Sequence, residues 1–125
     1  MPPCAHPQCC YALTYAYTTI SFSSLAFAFA AASLIHPSFL ADEDAEHAQA
    51  PILLIPTKDE PDFTEFMNIL SKKPFGDKCQ QHRFDDMFHG FAAARGDYTN
   101  AQNVKRATEA IQLTGDFFNS HVHPN

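Results

Sequence analysis

The fold class that this sequence predicts is α/β. The expected architecture is the second half of a doubly wound, mostly parallel sheet, in the order strand, strand, helix, strand, helix. Three observations carry the reading. Ile52-Leu53-Leu54-Ile55 is a continuous apolar run held between Pro51 and Pro56, the pattern of a strand buried on both faces beneath covering helices. Phe63, Phe66, Met67 and Leu70 recur at helical spacing directly after it. Val104, Ala107, Ile111, Thr114 and Phe118 then mark one face of a long closing helix.

The remaining elements follow in chain order. Ala32-Ser33-Leu34-Ile35 is a short apolar run that stops at His36-Pro37, where proline ends regular pairing. The alanine-rich acidic stretch from Asp42 to Gln49 reads as a solvated loop or a short helix. Pro74-Phe75-Gly76 closes the helix begun at Phe63, and Gln80 to Phe84 is a weaker strand candidate. Thr99 or Asn100 supplies the N-cap of the last helix.

A chain of 125 residues fits one domain, and 46% apolar residues suffice for a core. Lys and Arg number 8 against 14 Asp and Glu, a net charge of −6. That balance excludes a phosphate-backbone binder, so nucleic acid is not an expected partner. Four cysteines, three of them (Cys4, Cys9, Cys10) in the first ten residues and the fourth at Cys79, do not make a disulfide scaffold. No charged side chain precedes Asp42, and Tyr11–Ile35 is an uncharged run long enough to span a bilayer. The run contains many hydroxyl side chains and lacks basic flanks. A membrane or secretory segment, a poorly folded leader and a buried piece of a larger fold all stay open. The domain division is therefore 1–32, an uncharged leader, and 33–125, the α/β part.

Candidate chemistry lies in two turns. Asp59 falls just past the carboxyl end of the Ile52–Ile55 strand, in Thr57-Lys58-Asp59-Glu60-Pro61. His89 falls past the next strand, in Phe88-His89-Gly90-Phe91. In open α/β sheets the functional crevice forms outside the carboxyl ends of the strands. There the carboxylate can accept from one ring nitrogen and leave the other as a general base. Gly90 permits the tight backbone turn that aims the imidazole into the crevice.

The stretch from about Ser33 to Val122 resembles the C-terminal half of the dienelactone hydrolase family, within the α/β-hydrolase fold. The residues that carry the resemblance are His36-Pro37-Ser38-Phe39 and Pro51-Ile52-Leu53-Leu54-Ile55 with Lys58-Asp59. To these are added His89-Gly90-Phe91 with Ala93-Ala94-Arg95-Gly96-Asp97, and a long closing helix ending near Phe117-Phe118. The resemblance implies ester or lactone hydrolysis by a Cys-Asp-His triad, with Asp59 orienting His89 and His89 moving protons. It implies no metal and no organic cofactor, a small-molecule ester or lactone as the partner, and a cytoplasmic location.

The nucleophile of that pattern is missing. A G-x-C-x-G elbow needs glycines before the acid, yet the first of four glycines is Gly76. Cys79 lies between the acid and the histidine, in the wrong order. The expectation is a truncated chain that lacks the nucleophile-bearing half and is inactive alone. The alternative is a non-catalytic membrane-tethered or interaction protein. Asp86, close before His89, is a rival for its ring N–H. His121-Val122-His123 offers too few ligands for a metal, and Asp42-Glu43-Asp44 lacks the glycine and alternating oxygens of a calcium loop.

Overall fold

The computed structural model describes residues 11–15 and 30–122. Its elements are β1 (Tyr11–Tyr15), β2 (Ala31–Ile35), α1 (Asp42–His47), β3 (Ile52–Ile55), α2 (Thr64–Ser71), a 3-10 turn (Gly76–Lys78), β4 (Gln80–Gln81) and α3 (Ala101–Val122). The four strands form one parallel sheet in the order β1-β2-β3-β4. The protein is therefore of the α/β class, as the apolar run between two prolines implies. The two ends of the uncharged run are strands β1 and β2, paired in register from Tyr11↔Ala31 to Tyr15↔Ile35. Among the described residues no helix is long and apolar enough to cross a membrane. Cys4, Cys9, Cys10 and His123 lie outside the described residues.

Burial on both faces follows from the pleat, because alternate side chains point to opposite sides. Ala32, Leu34, Ile52 and Leu54 pack with Ala45, Ala48, Phe63, Phe66 and Leu70 on the side of α1 and α2. Ala31, Ile35, Leu53 and Ile55 pack with Ala107, Ala110 and Phe117 of α3 on the other. The result is three layers, with β2 and β3 fully enclosed between helices.

α1 resolves the choice over Asp42–Gln49 in favour of a short helix. Its acids Asp42, Glu43 and Asp44 sit in the first turn, where the helix dipole favours negative charge, and Asp44 accepts the Ala41 N–H at 2.9 Å. Ala45 is its buried residue on the sheet side, and Ala48, just past its end, is buried beside it.

Two expectations need correcting. The strand expected over Gln80–Phe84 is reduced to Gln80–Gln81 plus one isolated bridge from Thr57 to Phe84. Its polar residues give this edge no apolar face to bury. The buried face of α3 is also rotated from the expected one. Asn103, Ala107, Ala110, Thr114 and Phe117 are buried, whereas Val104 is 40% and Ile111 59% exposed. Small alanines let the helix approach the sheet closely, and Thr114 bonds Ser33 of β2 at 2.9 Å, so contact with the sheet outweighs side-chain size. Asn100 is the N-cap of α3, its Oδ1 accepting the Asn103 N–H at 3.0 Å.

Candidate functional site

Because β2, β3 and β4 run parallel, the segments that leave their carboxyl ends meet at one edge of the sheet. His36 to Phe39 follow β2, Thr57 to Pro61 follow β3, and Phe84 to Phe91 follow β4. The second and third segments are joined by the Thr57–Phe84 bridge and by the Lys58 N–H donating to the Met87 carbonyl at 3.3 Å. This pairing carries Asp59, Glu60 and His89 into one cluster.

The structure does bring Asp59 and His89 together, but not as the sequence reading paired them. Asp59 Oδ2 accepts the backbone N–H of His89 at 2.8 Å. The imidazole itself is held by Glu60, with Nδ1 to Oε1 2.6 Å apart. The Glu60 side chain is 4% exposed, and its second oxygen accepts the Thr57 N–H. Both carboxylate oxygens are thus engaged, as a buried charge requires. A carboxylate only accepts, so Nδ1 is the donor in this contact, and in a neutral ring that leaves Nε2 with its lone pair. Asp59 fixes the main chain that delivers the ring, and Glu60 fixes the ring.

Nothing in the sequence distinguishes two adjacent acids in a turn. The choice is made by backbone direction after β3, which aims residue 60 inward and residue 59 toward the neighbouring loop. Arg83 stabilises that direction by donating to three carbonyls of the turn, those of Thr57, Glu60 and Pro61.

The other side of the ring faces the segment after β2. Ser38 Oγ lies 3.4 Å from His89 Nε2. His36 is fully buried and meets His89 edge to face, with ring centroids 5.1 Å apart, and meets Phe91 in the same manner at 5.9 Å. Burial lowers the His36 pKa below its usual 6.5, with the nearby His89 also opposing a charge there and Glu60 favouring one. His36 and Phe39 both adopt positive φ, 40° and 57°. Gly90 has φ 87°, so its lack of a side chain is used at the turn that presents His89. Pro37, Ser38, Phe39, Asp59, Glu60, Pro61 and His89 line an open cleft of about 230 Å³.

The rival acid Asp86 is engaged elsewhere. It accepts from Arg106 at 2.8 Å and Gln102 at 2.6 Å, and the Arg106 guanidinium holds its carboxyl below the usual range. Cys79 packs against the α1/α2 side of the sheet, where burial pushes its thiol pKa up. Among the described residues no three His, Cys, Asp or Glu side chains converge as a metal site requires. Ser38 and Glu60 are the site residues that the sequence reading did not single out. Ser38 lies in His36-Pro37-Ser38-Phe39, without a chemical signal to set it apart from other loop serines.

The fold and cluster define an α/β protein with a carboxylate–histidine pair at the carboxyl edge of a parallel sheet. In sequence the chain is similar to an uncharacterized AIM2 family protein of Schizosaccharomyces pombe, 37% identical over 87 residues, which is 68% of this chain and 35% of that protein. This match points toward the AIM2 family and away from the dienelactone hydrolase assignment. The match overturns that assignment, together with the ester or lactone hydrolysis by a Cys-Asp-His triad drawn from it. The tethered or interaction-protein alternative gains no support from the match either. No family model and no solved structure matches the chain.

Proposed function

We propose that the Glu60–His89 pair is a general acid–base centre that moves a proton to or from a small molecule in the cleft beside Ser38. One observation carries the reading: the 2.6 Å contact between His89 Nδ1 and a buried, doubly bonded Glu60 carboxylate. An imidazole held in one tautomer, with its second nitrogen facing an open cleft, has the geometry that proton transfer needs. His89 is the candidate catalytic residue, and Glu60 and Asp59 are positioning residues for its ring and backbone.

The finer architecture belongs to the same proposal. A parallel order β1-β2-β3-β4, with acid and histidine after β3 and β4, supports a partial sheet of α/β-hydrolase type. Hydrolytic activity is not proposed with it.

The test is the ring-nitrogen NMR spectrum of His89 at neutral pH. The expected result is the Nδ1–H tautomer in the native chain and in Asp59→Asn. In Glu60→Gln it redistributes toward Nε2–H, because the amide has an oxygen at only one of the two positions that bond Thr57 N–H and His89 Nδ1, and an NH2 at the other. An Nε2–H ring in the native chain would overturn the proposal.

A further inference from the structure

Among the described residues, Ser38 places its hydroxyl against the second ring nitrogen of His89. Its Oγ lies 3.4 Å from His89 Nε2, just outside the tightest range for a hydroxyl and its base. Such contacts are commonly loose until a substrate is seated. The full relay then reads Ser38 hydroxyl, His89 imidazole, Glu60 carboxylate, with hydroxyl, base and orienting acid on three separate loops at one sheet edge.

The loop that carries Ser38 is held in an unusual shape. His36 and Phe39, at either side of Pro37-Ser38, have φ of 40° and 57°. Non-glycine residues adopt such values at a cost, and they cluster where a side chain must be aimed. His36 is anchored from below, its N–H donating to the Ile55 carbonyl at 2.8 Å and its ring buried against Phe91. The hydroxyl is thereby presented on a fixed support.

The lining of the cleft says what can approach. Asp59 and Glu60 stand on one wall, and their charge disfavours an anionic donor. Phe39, 87% exposed, offers an apolar surface at the rim. That lining suits an uncharged donor with an apolar group.

We propose that Ser38 is a nucleophile that accepts an acyl group from a neutral thioester, with His89 as its base. This rests on the acid–base reading of His89. In the step, Ser38 Oγ bonds to the carbonyl carbon while its proton passes to His89 Nε2. The C–S bond then breaks, the sulfur leaves with the bonding pair, and His89 returns the proton to it. The products are an O-acyl Ser38 and a free thiol, with no net oxidation or reduction.

The experiment treats the full 125-residue chain with S-phenyl thioacetate, quenches in acid and locates acetyl groups by peptide mass spectrometry. The native protein is expected to carry one acetyl group on Ser38 and to release an equal amount of thiophenol. Ser38→Ala is expected to lose the adduct, and His89→Gln to slow its formation by about 100-fold or more, with circular dichroism showing both variants folded. Acetylation of Ser38 at equal rates in the native chain and His89→Gln would overturn the proposal. So would acetylation confined to lysines or Cys79. If Ser38 stays unmodified while His89 shows the Nδ1–H tautomer, the nucleophile fails and the acid–base centre stands. If the tautomer is wrong as well, both fall.

Discussion

At the scale of single residues, the site depends on one arginine that holds its backbone and does not contact the His89 ring-binding carboxylate. Arg83 donates to the carbonyls of Thr57, Glu60 and Pro61, and so closes the turn that turns Glu60 inward. Hydrogen bonds from a charged donor are each worth about 1.5–3 kcal/mol where burial is substantial, and these are only partly buried. Arg83→Ala is expected to lower stability by about 1–3 kcal/mol in urea unfolding. It should also broaden the His89 ring-nitrogen signals as Glu60 loses its fixed position. Unchanged signals would show that the turn holds itself. The same scale explains why the sequence does not separate Asp59 from Glu60 as the partner of the His89 ring. Residue type and place in the turn are the same for both, and only the backbone trajectory separates them.

At the scale of elements, α3 is joined to the sheet by a buried polar contact as well as by its apolar stripe. Ser33 Oγ and Thr114 Oγ1 lie 2.9 Å apart, with the residues 0% and 7% exposed. Removing one hydroxyl leaves the other buried without a partner, at about 1–3 kcal/mol. Thr114→Val and Ser33→Ala are each expected to cost that much. The double variant should cost less than their sum, because no orphan remains. Strict additivity in a double-mutant cycle would mean that the bond contributes nothing. This contact also accounts for the rotated face of α3. Periodicity located the helix and its approximate length. Hydrophobicity alone points to Val104 and Ile111 as core, whereas alanines at 107 and 110 pack against the sheet cluster of Leu53 and Ile55.

At the scale of the whole molecule, pH ties the site to stability. Burial lowers the pKa of His36 and of His121 below the ordinary 6.5. Below pH 6.5 the unfolded chain therefore binds protons that the native chain refuses, so stability falls as pH drops from there toward the native values. Asp62, Asp86 and Asp97 behave oppositely. Their carboxyls are held low, the first and third by the Thr64 and Thr99 hydroxyls and Asp86 by Arg106. The stability they give is present above about pH 3.8 and is lost as pH falls through their native values. Urea midpoints should thus decline in two stages, the first beginning below about pH 6.5 and the second below about pH 3.8. His121→Asn should reduce the first stage without affecting the second. A flat profile between pH 7.5 and 5.5 would contradict the assignment.

The sequence by itself determined the class of the protein. An apolar tetrad between prolines cannot be satisfied except between two covering layers, and the 3.6-residue recurrences on either side supply those layers. It also placed an acid turn and a histidine turn after successive parallel strands, because chain order fixes which edge such turns occupy. Tertiary structure alone decided which acid grips the imidazole, that Asp86 is drawn off by Arg106, and that Ser38 comes within reach of Nε2. Those outcomes rest on distances between segments separated by 16 to 51 positions. Local pattern sets the direction of a strand or helix, whereas contacts of that separation are set by how the layers pack.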